Sequence, residues 1–144
     1  MTQKEYGTLV AGMSPRSNIK KDCMTAFFVG GLICTLGQVL ITLYGALGIE
    51  EQDAALASSI SLIALSALLT GLSLYDDIAK HAGAGTLIPI TGFANAISSA
   101  AIEYRLEGFI SGEGAKMFTI AGPVIVYGTA ASVVYGFIYW LVIM

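Results

Sequence analysis

Polar and apolar positions separate along this chain on the scale of whole segments, not single turns. The windows 23–49, 54–75, 82–102 and 117–144 hold no Asp, Glu, Lys or Arg. A helix needs ~20 apolar residues to cross ~30 Å of hydrocarbon, so each window is long enough to span. The pattern predicts an all-α integral membrane protein. Residues 1–22 form a polar arm, and 23–144 form a single membrane domain. Within it, 23–49, 54–75 and 117–144 read as full transmembrane helices, and 103–116 as a charged interfacial connector with a flexible, glycine-rich end.

The window 82–102, AGAGTLIPITGFANAISSAAI, is different. Gly83, Gly85, Pro89 and Gly92 interrupt it as hinge positions, and Asn95, Ser98 and Ser99 make it polar. Hydrocarbon offers no water to freed backbone groups, so a broken helix persists there only against protein or a wet cavity. Transporters place such breaks beside their substrates. Residues 93–102 would make a helix of ~15 Å, about half the hydrocarbon thickness. A re-entrant helical hairpin is expected, with a kinked full crossing as the alternative.

Charge bias favours the hairpin. Lys and Arg near membrane segments prefer the cytoplasmic side. Lys4, Arg16, Lys20 and Lys21 put the N-terminal arm there, and the acidic loop Glu50-Glu51-Gln52-Asp53 outside. If 82–102 re-enters, Lys80, Arg105 and Lys116 join the inner side, so all 7 Lys and Arg lie inside. If it crosses, Arg105 and Lys116 move outside.

Composition agrees with membrane residence. Hydrophobic residues make up 56% and charged residues 12%, against about a quarter charged in soluble domains. The net charge of −3 says little about partners, because the signs are sorted by loop. No signal peptide is expected, since the first apolar stretch is too long for a signal core. Cys23 and Cys34 would sit ~16 Å apart on one helix, beyond the ~7 Å reach of a disulfide, and read as packing residues. No Cys–His set has zinc spacing, so no metal or cofactor is expected. His81 is the single histidine and lies at an expected interface. No nucleophile–base pair falls inside a span, which argues against an enzyme. No span holds a carboxylate to carry a proton, which argues against a proton-coupled exporter.

Small residues mark expected helix contacts: Gly30, Gly31 and Gly37 in the first span, and Gly128, Ser132 and Gly136 in the last. Gly122-Pro123 predicts a kink or a first-turn proline. Tyr135, Tyr139 and Trp140 predict the outer aromatic belt. Gln38 is the strongly polar side chain of the first span; it either bonds across helices or lines a pore. A solute path is expected from Gln38, Thr91, Gly92, Asn95 and Ser98. Gly92 would free the N-terminus of a half-helix, whose N–H groups and positive dipole end suit a carboxylate.

GGLICTLGQ at 30–38, HAGAGTLIPITGFAN at 81–95, and AIEYRLEG followed by GAKMFTIAGPVIVYG up to Gly128 carry a resemblance. So do the SP and KKDC elements of the N-terminal arm. Together they resemble the spoVA-encoded spore membrane family of endospore-forming bacteria, in its stage V sporulation AC/AEb branch, and nearer its AC side. The resemblance covers nearly the whole chain. It implies a subunit of a channel or transport complex for dipicolinic acid, with calcium, across the spore inner membrane during sporulation and germination. It implies as partners an AE/AEb membrane protein and a soluble AD protein. The alternative is a non-conducting scaffold that anchors the soluble partner for another pore subunit. No partnership with nucleic acid is expected.

Overall fold

The computed structural model describes residues 2–13, 18–87 and 89–143. Ser14, Pro15 and Arg16, read above as a helix break and a basic anchor, lie outside them. Among the described residues there are helices and turns and no strand. Helix α1 (Gln3–Met13) precedes α2 (Ile19–Ala46), α3 (Glu51–Gly71) and α4 (Leu74–Ala82). After an irregular stretch come α5 (Pro89–Glu103) and α6 (Ala115–Ile143). Among the described residues, three helical stretches are long and apolar enough to cross a membrane: Ile19–Ala46, Glu51–Gly71 and Phe109–Ile143.

The first span starts four residues before the expected Cys23, so Lys20, Lys21 and Asp22 form its opening turn. It stops at Ala46 rather than 49. Gly48 adopts φ +87° and turns the chain, and Ile49 N–H donates back to the Tyr44 carbonyl at 3.2 Å. A left-handed glycine closing two such carbonyls is a common helix terminator.

The core runs along α3. Ala54, Ser58, Leu62 and Ser66 are its buried residues, one every four positions, which puts them on one face of the helix. The N-terminal half of that face meets α2, where Ser58 Oγ donates to the Gly37 carbonyl at 3.0 Å. An added Cβ on Gly37 would sit 3.4 Å from Leu62 Cδ1. Gly37 is thus the close-approach point of an antiparallel α2–α3 hairpin, supported by a Tyr44 Oη to Ser61 Oγ bond of 2.7 Å.

Ser73 takes φ +59° and swings α4 back against the bundle. This short helix is amphipathic. Tyr75 and Ala82 are buried, while Asp76, Asp77, Lys80 and His81 are exposed. Hydrogen bonding to Asp76, then to Asp77, raises the Lys80 pKa above its ordinary 10.5. Tyr75 Oη donates to the Thr86 carbonyl at 3.0 Å, tying α4 to the stretch that follows. Tyr75→Phe would strand that buried carbonyl, a loss of about 1–3 kcal/mol. Thermal unfolding in detergent should show a lower midpoint, and an unchanged midpoint would mean that the hydroxyl contributes nothing.

Residues 83–86 make a 3₁₀ turn that climbs along α2. The chain then reverses, and α5 descends. Ser66 Oγ donates to the Thr91 carbonyl at 2.7 Å, and one turn further Thr70 Oγ1 meets Asn95 Oδ1 at 2.7 Å. The numbers rise together, so α5 runs parallel to α3. It ends with Asn95, Ser99 and Glu103 beside Thr70, Ser73 and Asp76, at the end where the segment began. Its 15 residues reach ~22 Å, short of a ~30 Å crossing. The segment therefore folds as a hairpin that enters and leaves at one end of the α2–α3 pair.

The connector is more ordered than its glycines predict. Residues 105–107 form a 3₁₀ turn and Phe109–Gly114 a π-helical turn continuous with α6. Gly112 is buried there, and a Cβ on it would lie 2.5 Å from Glu107 Cβ and 2.8 Å from the Tyr104 carbonyl. The Lys116 ammonium sits 4.5 Å from the Tyr104 ring centre. Pro123 lies well inside α6, not in its first turn.

Candidate functional site

The tip of the hairpin sits midway along the α2–α3 groove. Gly85 packs on α2 so closely that an added Cβ would lie 2.6 Å from the Ala26 carbonyl oxygen. Gly92 brings the descending arm onto the ascending one, with 2.7 Å from its virtual Cβ to the Thr86 carbonyl. Both glycines serve close approach. Gly83, at φ +52°, is the hinge.

The expectation that Gly92 frees a half-helix end is corrected. The helix begins three residues earlier at Pro89 and runs unbroken through Gly92. A proline fits the first helical position because no intrahelical acceptor waits for its missing N–H. The following first-turn N–H groups have no acceptor inside the helix. They lie at the positive end of the α5 dipole, beside the buried Thr91.

Ile90 and Thr91 of that first turn line a cleft of about 280 Å³ between α2 and α3, with Cys34, Gln38, Ser58 and Ser59. Gln38 and Thr91, far apart in sequence, thus share one cleft. Thr91 also borders a smaller recess of about 130 Å³ beside Ser66, Tyr75 and Thr86. Its side chain is only 6% exposed, and its hydroxyl has no hydrogen-bond partner among the described residues. Buried polar atoms are nearly always paired, so this one is an exception at the hairpin tip.

The other expected path residues fall elsewhere. Asn95 lies a turn below, in a polar cleft of about 290 Å³ with Thr70, Ser73, Asp76, Ser99 and Glu103. Thr70 Oγ1 lies 2.8 Å from the Ser66 carbonyl as well as beside Asn95, and its one proton serves a single acceptor at a time. Ser98 borders another recess of about 430 Å³ with Ile63, Ile90, Phe93, Ala94 and Ile97, which shares Ile90 with the Gln38 cleft. The expected path therefore divides into a tip, a polar mouth and an apolar flank. Reading the chain alone missed Ser66, Thr70 and Tyr75. The signal for the first two was the four-residue repeat from Ser58 through Leu62.

Of the expected packing residues, Gly37 makes an interhelical contact. Gly31, Gly128 and Gly136 have open space where a Cβ would stand, and Ser132 Oγ bonds only its own helix at the Gly128 carbonyl. Tyr135 stacks on Tyr139 at 6.2 Å between ring centres, and Phe137 lies 6.1 Å from Trp140. Cys23 and Cys34 are free and exposed. No cluster of three or more metal-ligating side chains occurs among the described residues.

Long apolar helices, a hairpin ending inside the bundle and charges held at the helix ends define a multi-pass α-helical membrane protein. The sequence profile of the SpoVAC/SpoVAEB sporulation membrane proteins matches residues 22–138. The chain belongs to this family. It is similar to stage V sporulation protein AC of Bacillus subtilis (strain 168), with 42% identity over 137 residues, covering 94% of this chain and 91% of that protein. No solved structure matches it.

Proposed function

We propose that this protein is a membrane subunit of a complex that moves dipicolinic acid, with calcium, across the spore inner membrane. The observation that carries the reading is the hairpin tip. The positive end of α5 brings Ile90 and Thr91 to the cleft that the exposed Gln38 borders between α2 and α3, and the Thr91 hydroxyl is buried there with no hydrogen-bond partner among the described residues. Helix N-termini stabilise carboxylates, and neutral donors hold an anion weakly enough to release it, as a flux path requires. At the mouth, Glu103, beside an Asp76 already paired with Lys80 at 2.8 Å, repels a bare dianion and tolerates one whose charge calcium balances. The AE/AEb membrane protein and soluble AD protein are the proposed partners.

The competing reading is a non-conducting scaffold. It is favoured by α6, which has no buried residue and so offers its surface to lipid or another subunit. Vesicles containing the full chain with its partner subunits, loaded with calcium dipicolinate, separate the two readings. Asn95→Leu should slow release several-fold while insertion and assembly stay normal. Unchanged release removes Asn95 from the path. If single cysteines at the hairpin tip stay unlabelled during flux, and only those at 103–116 react, the scaffold reading replaces the conducting one.

A further inference from the structure

Helix α1 precedes residues 22–138, which match the family profile, and it needs its own explanation. Its first turn is capped reciprocally. Glu5 N–H donates to Thr2 Oγ1 at 3.3 Å, and Thr2 N–H donates to Glu5 Oε2 at 2.8 Å. This box starts a helix deliberately. Tyr6, Leu9, Val10 and Met13 then follow at the spacing of one helix face. They are 63%, 52%, 42% and 77% exposed. The helix has only 11 residues, and α1 makes no extended contact with the packed bundle of α2–α6. Isolated helices below ~12–15 residues are marginal in water. A capped helix of this length with an uncovered apolar stripe needs a surface to lie on.

The chain supplies that surface. Helix α2, which is long and apolar enough to span, begins at Ile19, only a few residues beyond Met13, so α1 is held near the plane where the span meets water. Lys20 and Lys21 stand exposed at that junction, and juxtamembrane lysines are drawn to anionic headgroups. We propose that α1 is an interfacial helix that docks through Tyr6, Leu9, Val10 and Met13 on an anionic lipid surface. Lys20 and Lys21 hold it there. A helix with one apolar face, followed by basic residues, binds membranes by these two terms together. The proposal is independent of what the bundle transports.

The test uses the full chain in vesicles, with Trp140→Phe to silence the native tryptophan. Leu9→Trp reports the apolar face. Gly12→Trp reports a flank where an added Cβ meets open space. With brominated anionic lipid, Leu9→Trp should be quenched at least threefold more than Gly12→Trp, and its emission should shift to the blue. Lys20→Gln with Lys21→Gln should weaken the quenching, as should exchange of the anionic lipid for a zwitterionic one. Equal quenching at both positions, or water-like emission from Leu9→Trp with full access to aqueous acrylamide, overturns the proposal. Insensitivity to lipid charge overturns the role of the lysines. Because any tryptophan could perturb so short a helix, Leu9→Glu with Val10→Glu is the second measurement. It should raise proteolysis at 2–18 in vesicles by several-fold, and unchanged proteolysis counts against docking.

Discussion

Gly85→Ala is expected to undock the hairpin from α2. The new methyl would lie 2.6 Å from the Ala26 carbonyl oxygen, 2.9 Å from its Cα and 3.1 Å from its carbonyl carbon. All three are backbone atoms, so no side chain can rotate away, and the segment must move off the helix. Overpacking of this kind costs about 1–3 kcal/mol. The adjacent Thr86 carbonyl, which takes the Tyr75 hydroxyl, would loosen with it. Thermal unfolding in detergent should fall clearly below wild type. Ala26→Gly should not restore it, because the clash is with the main chain. Full stability in Gly85→Ala, or rescue by Ala26→Gly, would show that the close approach is wrongly assigned.

Thr91→Val is expected to move stability and transport in opposite directions. The swap keeps the shape and removes a buried hydroxyl that has no partner among the described residues. Relief of an unsatisfied group of this kind stabilises by about 1–3 kcal/mol. The Ser66 hydroxyl bonds the Thr91 carbonyl, so that tie survives. If the hydroxyl instead serves a passing solute, loss of one hydrogen bond of about 1 kcal/mol slows dipicolinate release ~5-fold. Thr91→Ser should retain the flux. A more stable variant with normal flux would make Thr91 a packing defect and withdraw the tip from the solute path.

The membrane class was legible in the charge-free windows because desolvation of charge is too costly to hide. The hairpin was legible from Pro89 and its flanking glycines, and from the way Lys80, Arg105 and Lys116 sort by side. Its register was not. Whether Gly92 opens a helix or packs inside one depends on which backbone atoms stand opposite, and those belong to Thr86 and Leu87 of the other arm. Nor could the sequence bring Gln38 to Thr91 while sending Ser98 to a different recess. That division follows from the helical phase of α5 against α3, set by Ser66 and Thr70. The connector was misread for a similar reason. Glycine signals freedom in isolation, but Gly112 is fixed by the tight contact with Glu107 and Tyr104.

The last helix is attached mainly at its base. It touches α5 and the π-helical turn before it, and no residue along its length is buried. The side-chain hydrogen bonds that join α2, α3, α4 and the hairpin form without it. The polypeptide is accordingly uneven in its packing: two spans cradle the hairpin, and the third stands out like a mast whose sides are left to whatever surrounds it.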